Sequence, residues 1–343
     1  MANINLQDVL DQMDILKKYR KYTGLLLILI VLLILPNILK AEPYILHIFI
    51  MTFVYVSLTQ AWNLIGGYVG QINFANHTFF AIGAYTSTML LLHFNLTPWI
   101  GVFAGVAIAA SVAYLLGFQI LRLKGHYFAV ATIAFAELIK LLFLNWRVVG
   151  AAYGLSLPPQ MPSLYHMIWR SKLPYYYIAL AIAIGYISLI YIIDKSKAGM
   201  YFRSIKQDEE GAEHKGIDTR YYKLLAFMMN AGMCALVGTF YAQYILYIDP
   251  RSVMDLLIST KIILIVLFGG SGTVVGPVLG AAILIPLGEY TRIKLGGGGK
   301  GWDYIIYGFI ILMIILYQPK GIYHILKGYR VHAQKMFRGK ISH

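Results

Sequence analysis

From Lys195 to Lys223 the chain reads KSKAGMYFRSIKQDEEGAEHKGIDTRYYK, a hydrophilic block set between two long apolar stretches. Its centre carries four carboxylates, Asp208, Glu209, Glu210 and Glu213, interleaved with Gly211, Ala212 and Gly216. Acids at the start of a short helix favour its N-terminus, and they pair with Arg or Lys on a partner. Small residues let another backbone approach closely. A docking surface and a solvated loop with helix-capping acids both fit that chemistry.

Other polar residues lie inside apolar runs. Glu137 and Lys140 are three apart and share a helix face. A carboxylate at membrane depth is expensive and by default functional, and a nearby cation lowers its cost. An interior structural pair, a polar substrate path and a proton relay are the readings for Glu137, with the structural pair favoured. Lys261 sits near the end of another run and reads as a lysine reaching for the interface. Gln71, Asn73, Asn76 and Thr78 flank a Gly-rich break. They either line a route for a zwitterion or cap two helix ends.

Several chemistries are excluded. There is no G-x-x-x-x-G-K-[ST] phosphate loop. Gly296 to Gly301 imitates one but lacks the Ser/Thr and the preceding strand, and reads as a flexible loop. The single cysteine, Cys234, supports no disulfide framework within the chain and reads as a small buried hydrophobe. No His/Cys/Asp/Glu cluster has zinc spacing, so no metal site and no catalytic residue is assigned. A net charge of +14 suits a nucleic-acid binder, but the charge lies at the ends of apolar runs rather than on a soluble domain.

These residues must be positioned by membrane helices. The 343 residues are 59% hydrophobic and only 13% charged, against roughly 25% charged in soluble domains. The expected class is an all-α polytopic membrane protein with about 8–10 transmembrane helices and Gly-rich broken or re-entrant segments. The candidate spans are 23–39, 44–65, 77–93, 99–121, 127–145, 174–194, 223–248, 256–268, 277–290 and 302–317. Alternating them across the bilayer puts 19 Lys and Arg on one side and 8 on the other. Cationic loops stay in the cytoplasm, so both termini and the polar block are expected there. The reading divides the chain into a cytoplasmic tail (1–22), a permease domain (23–318) with its loop at 195–223, and a basic cytoplasmic tail (319–343). The polar N-terminal segment does not match a cleaved signal peptide. Spans 256–268 and 277–290 are short, with Gly269, Gly270, Gly272, Gly276 and Pro277 between them. Either they extend past these limits or they form a re-entrant pair. Gly66–Gly70 and Gly269–Gly272 each precede a span with a Gly-x-Tyr-Thr run, a weak sign of a parallel internal repeat.

The segment 203–242 resembles the LivM-type branched-chain amino acid permeases of the LivH/LivM family, and the polar block resembles the coupling segment of ABC-importer permeases. Three further stretches agree: Gly67–Gln71 with Phe79–Tyr85, Gly125–Thr132 with Ala134–Glu137, and Gly269–Thr273 with Gly276–Ala281. The similarity runs from about residue 44 to 322. Two places depart from the family's pattern: Asn73–His77, where it has a small or polar S-L-G-H-like run, and His214-Lys215 before Gly216. The resemblance implies an inner-membrane permease subunit that is not itself an enzyme. It implies a heterodimer with a second related permease, two ATP-binding subunits that hold ATP and Mg, and an extracytoplasmic solute-binding protein. The implied cargo is branched-chain amino acids or related small amino acids and amides. Asp208, Glu209, Glu210, Gly211, Ala212, Glu213 and Gly216 would couple to the ATPase. Gln71, Asn73 and Glu137 are candidates for the path. A proton-coupled secondary transporter using Glu137 is the alternative.

Overall fold

The computed structural model describes residues 23, 26–27, 29–38, 42–123, 125–157, 163–294, 308–309 and 321–324. It is a helical bundle. The helices are α1 (Leu29–Ile38), α2 (Pro43–Trp62), α3 (Asn76–Phe94), α4 (Pro98–Ile120), α5 (His126–Asn145), α6 (Leu173–Lys195), α7 (Lys197–Gln207), α8 (Glu209–His214), α9 (Thr219–Ile245), α10 (Pro250–Val253), α11 (Leu256–Gly269) and α12 (Val275–Lys294). Among the described residues six segments are long and apolar enough to cross a membrane: Pro43–Val69, Pro98–Ile120, His126–Asn145, Leu173–Lys195, Thr219–Ile245 and Pro250–Gly269. Helix α3 is 19 residues long, but Asn76, His77, Thr78, Ser87 and Thr88 dilute its hydropathy. The expected span at 302–317 lies outside the described residues except for Gly308 and Phe309, as do most of both tails and the loop at 296–301.

Helix starts follow local chemistry. Proline stands in the first turn of α2, α4, α6 and α10, where its missing N–H is no loss. Thr97, Ser196, Asp218, Asp249 and Asp255 cap their helices through side-chain oxygens. The Asp218 cap starts α9 at Thr219, four residues before the expected span.

The core is a close-packed trio of α3, α4 and α9. A Cβ on Gly83 would collide with the Ala235 carbonyl, and one on Gly238 with the Phe80 carbonyl. On α4, a Cβ at Gly105 would stand 3.1 Å from the Gly83 Cα. Lipid gives helices no hydrophobic reason to associate, so small residues that let backbones meet supply the packing. The pairings run in register, so α3 and α9 are parallel and α4 is antiparallel to both.

The two Gly-rich breaks differ. After α2 the chain continues as a π-helical turn, Asn63–Val69, ending at Gly70 with φ +85°. Residues 70–74 then run without helix until α3 begins. The second break is a tight turn between α11 and α12. Helix α12 has 20 residues, about 30 Å at 1.5 Å per residue, and α10 lengthens the approach to α11. Both short segments thus continue past the expected limits, α12 at both ends and α11 through α10. On the side opposite α7 and α8, Leu155–Ser156 (β1) pairs antiparallel with Tyr247–Ile248 (β2) and joins the α5–α6 and α9–α10 connections.

Candidate functional site

The polar block folds into α7, α8 and the first turn of α9. Helix α7 buries Phe202 and Ile205 on one side, and Ser196 caps it by accepting from the Gly199 amide at 3.3 Å. Arg203 ties it back to α6 through an ion pair with Asp194. Asp208 is extended at φ −158° and leads into α8. A Cβ on Gly211 would meet the Asp208 carboxylate, which would have to turn aside.

The four acids divide in a way the sequence does not reveal. Glu209 Oε1 meets Lys223 Nζ at 2.5 Å, and the Lys223 side chain is only 2% exposed. Glu213 Oε1 accepts from Thr219 Oγ1 at 2.5 Å. Both acids thus pin α8 to α9. Glu209, expected to face a partner, has Oε1 on the buried ammonium of Lys223 and keeps its side chain 23% exposed. Asp208, Glu210, Glu213, His214, Lys215 and Gly216 form the exposed side, while Ala212 is buried beneath them. Gly216 has φ +80° with open space where a Cβ would point.

Beside α7 the two Gly-rich breaks meet. Asn63 Nδ2 donates to the Thr273 carbonyl at 2.9 Å, and Asn63 Oδ1 accepts from the Gly272 amide at 2.9 Å. Gln60 Nε2 donates to the Val274 carbonyl at 2.6 Å. Lys206 of α7 donates to the Gly67 carbonyl at 2.7 Å. The Lys206 residue is exposed as a whole, yet partial desolvation of its ammonium lowers its pKa. Gly269 packs on the Gly276 carbonyl, and Gly276 donates to Thr273 Oγ1 at 3.0 Å. Gly270 has φ +117°, and Pro277 lies within the first turn of α12. The Gly269–Pro277 set is therefore a turn braced against the first break.

Deeper in the bundle the non-helical stretch is held by polar groups. Asn73 Nδ2 donates to Asn230 Oδ1 at 3.0 Å and to Asn76 Oδ1 at 3.2 Å, and Asn73 Oδ1 accepts from the Ala75 amide at 2.8 Å. Trp62 Nε1 donates to the Asn73 carbonyl at 2.8 Å. The Phe74 amide donates to Thr132 Oγ1 at 3.1 Å. His77 Nδ1 and Ser259 Oγ are 2.8 Å apart. Asn230 lies eleven residues into α9, about 16 Å along its axis. Irregular backbone at that depth must be enclosed by protein or line a cavity. Asn73 is thus a brace whose side chain is already committed. Gln71 is nearly buried with Oε1 lacking a protein partner.

Glu137 does not join this cluster. It pairs with Lys140 on its own helix at 3.7 Å, and its side chain is 44% exposed. The interior structural pair expected from the sequence is a half-exposed pair on α5, a helix buried only at Phe128, Thr132 and Ala136. Lys261 holds its ammonium over the Tyr55 ring at 4.8 Å. Asn63, Lys206, Asn230 and Ser259 escaped the sequence reading. Asn230, a lone amide in an apolar run, carried the one usable signal.

The model of the family described as branched-chain amino acid transport system / permease component matches residues 44–315. The chain belongs to this permease family. Among curated relatives, it is 26% identical to the high-affinity branched-chain amino acid transport system permease protein LivM of Escherichia coli (strain K12), over 79% of this chain and 68% of that one. It is 25% identical to LivH of Salmonella typhimurium, over 78% of this chain and 90% of that one. It is also 27% identical to the autoinducer 2 import system permease protein LsrC of Photorhabdus laumondii, over 48% of this chain and 49% of that one. No solved structure matches it. The permease is therefore a multi-pass membrane protein, and its relatives are transport subunits.

Proposed function

We propose that this permease is one of two membrane subunits of an ATP-driven importer for branched-chain amino acids. A solute-binding protein delivers leucine, isoleucine or valine on the β1–β2 side. Two ATPase subunits, which bind ATP and Mg, dock on the α7–α8 side in the cytoplasm. The lysine and arginine distribution supports this orientation, with both termini inside.

One observation carries the reading. The α8 surface is prebuilt, with Glu209 and Glu213 bonded to α9 while Asp208, Glu210 and Gly216 lie on its exposed side. A solvated loop has no need of such a lock, whereas a surface that receives force does. Binding energy can shift the permease between states only through differential contact, and α8 offers that contact next to α7, whose Lys206 reaches the first break. Asp208, Glu210, Gly211 and Gly216 meet the partner, while Ala212, Glu209 and Glu213 hold α8 in place. Gln71 and the half-exposed Glu137 border the route shared with the second permease.

The test is reconstitution of the complex from its native operon into proteoliposomes. Uptake of labelled leucine, isoleucine and valine is expected to need both ATP and the binding protein. Uptake driven by a pH gradient without ATP would contradict the reading and favour proton coupling at Glu137.

A further inference from the structure

We propose that Lys206 is the transmission contact of this permease, a positioning residue that carries displacement of the docked α8 surface into both Gly-rich breaks. The proposal rests on the importer reading above.

Lys206 lies on the last turn of α7, two residues before Asp208. Its ammonium bonds the Gly67 carbonyl at 2.7 Å. That carbonyl belongs to the final residues of the π-helical turn, where acceptors lack intrahelical partners and the helix end is negative. The second break is at the same point. A Cβ on Gly272 would stand 2.9 Å from the Gly67 oxygen and 3.5 Å from Lys206 Nζ. Gly70 closes the third side, its Cβ position 3.0 Å from Lys206 Cγ. One cation therefore touches the end of the first break and abuts the turn of the second. Asn63 and Gln60 join the two breaks by three hydrogen bonds, so they respond together.

The neighbouring contacts make α7 a lever. Phe202 and Ile205 seat it in the core, Arg203 holds it to α6, and the Glu209–Lys223 pair ties α8 to α9. Water would serve an exposed lysine's three donors at no loss. Lys206 instead holds a partly desolvated contact that lowers its pKa, which marks a constraint rather than a solubilising charge.

Two measurements on Lys206→Met, with Lys206→Arg as control, test the proposal. In nanodiscs holding the full chain alone, hydrogen exchange at residues 66–72 and 270–274 is expected to rise at least tenfold in Lys206→Met and less in Lys206→Arg. Unchanged exchange would overturn the contact, whatever the importer reading. In the reconstituted complex, Lys206→Met is expected to hydrolyse ATP within about twofold of wild type, with leucine uptake per ATP falling at least tenfold. A merely structural role would lower both together, and an unchanged ratio would refute transmission. A wild-type complex that assembles no ATPase would defeat the importer reading and, with it, the transmission role, while the exchange result would still judge the contact.

Discussion

Lys206 Nζ and the Gly67 carbonyl stand 2.7 Å apart, although 139 residues separate them in sequence. This contact joins the polar block to the break that interrupts the bundle. Around it the molecule has three layers: an exposed acidic surface, a glycine junction and an amide-braced interior.

The acids of the block are expected to behave differently from one another. Glu209→Gln leaves the buried Lys223 ammonium without its counter-charge, and removing one partner of a buried pair costs about 3–5 kcal/mol. The partial exposure of Glu209 reduces this, so a loss of about 1–3 kcal/mol is expected. Glu210→Lys changes an exposed residue, where effects on stability are about 0–1 kcal/mol. Thermal unfolding in detergent, followed by fluorescence-detected size exclusion, should show a lower midpoint for the first and little change for the second.

The α3–α9 contact tolerates no added carbon. Gly83→Ala and Gly238→Ala each drive a methyl into a backbone carbonyl of the facing helix. Overpacking typically costs about 1–3 kcal/mol, and here the obstacle is backbone rather than a mobile side chain. Both variants should lose monodisperse protein on gradual heating before Gly185→Ala, whose Cβ meets open space.

Asn230 satisfies Asn73 across 157 residues of sequence, within a fully buried cluster. Asn230→Leu removes an acceptor from a group shielded from water, a loss of about 1–3 kcal/mol. Proteolysis in nanodiscs should then reveal new cleavage near residues 70–75, which wild type resists.

Glu137→Gln separates the two transport mechanisms. Its ion pair with Lys140 is half-exposed, and such pairs are worth about 0–1 kcal/mol. ATP-driven uptake is expected to stay within a few-fold of wild type. Abolition of uptake, together with dependence of the wild type on a pH gradient, would support proton coupling instead.

The sequence makes the class legible because membrane helices announce themselves by composition: nine of its ten expected spans fall on described helices. The polar block is legible for the same reason, as an island of charge. Its internal division is not, because pairing Glu209 with Lys223 requires α8 to fold back on α9. The breaks are visible as glycine runs, but their junction depends on Asn63 and Gln60, polar residues within an apolar helix whose partners lie more than 200 residues away. The Glu137–Lys140 pair is legible from its i, i+3 spacing, but its half-exposed face is not, because hydropathy gives depth without azimuth.

The most direct measurement is affinity purification of the tagged chain, coexpressed with its native operon, beside the double variant Asp208→Lys/Glu210→Lys. Wild type should bring down a second permease and two ATPase subunits. The double variant should keep the second permease and lose the ATPases. Recovery of the chain with its operon partners expressed but unbound, or retention of the ATPases by the charge-reversed variant, would contradict docking at α8.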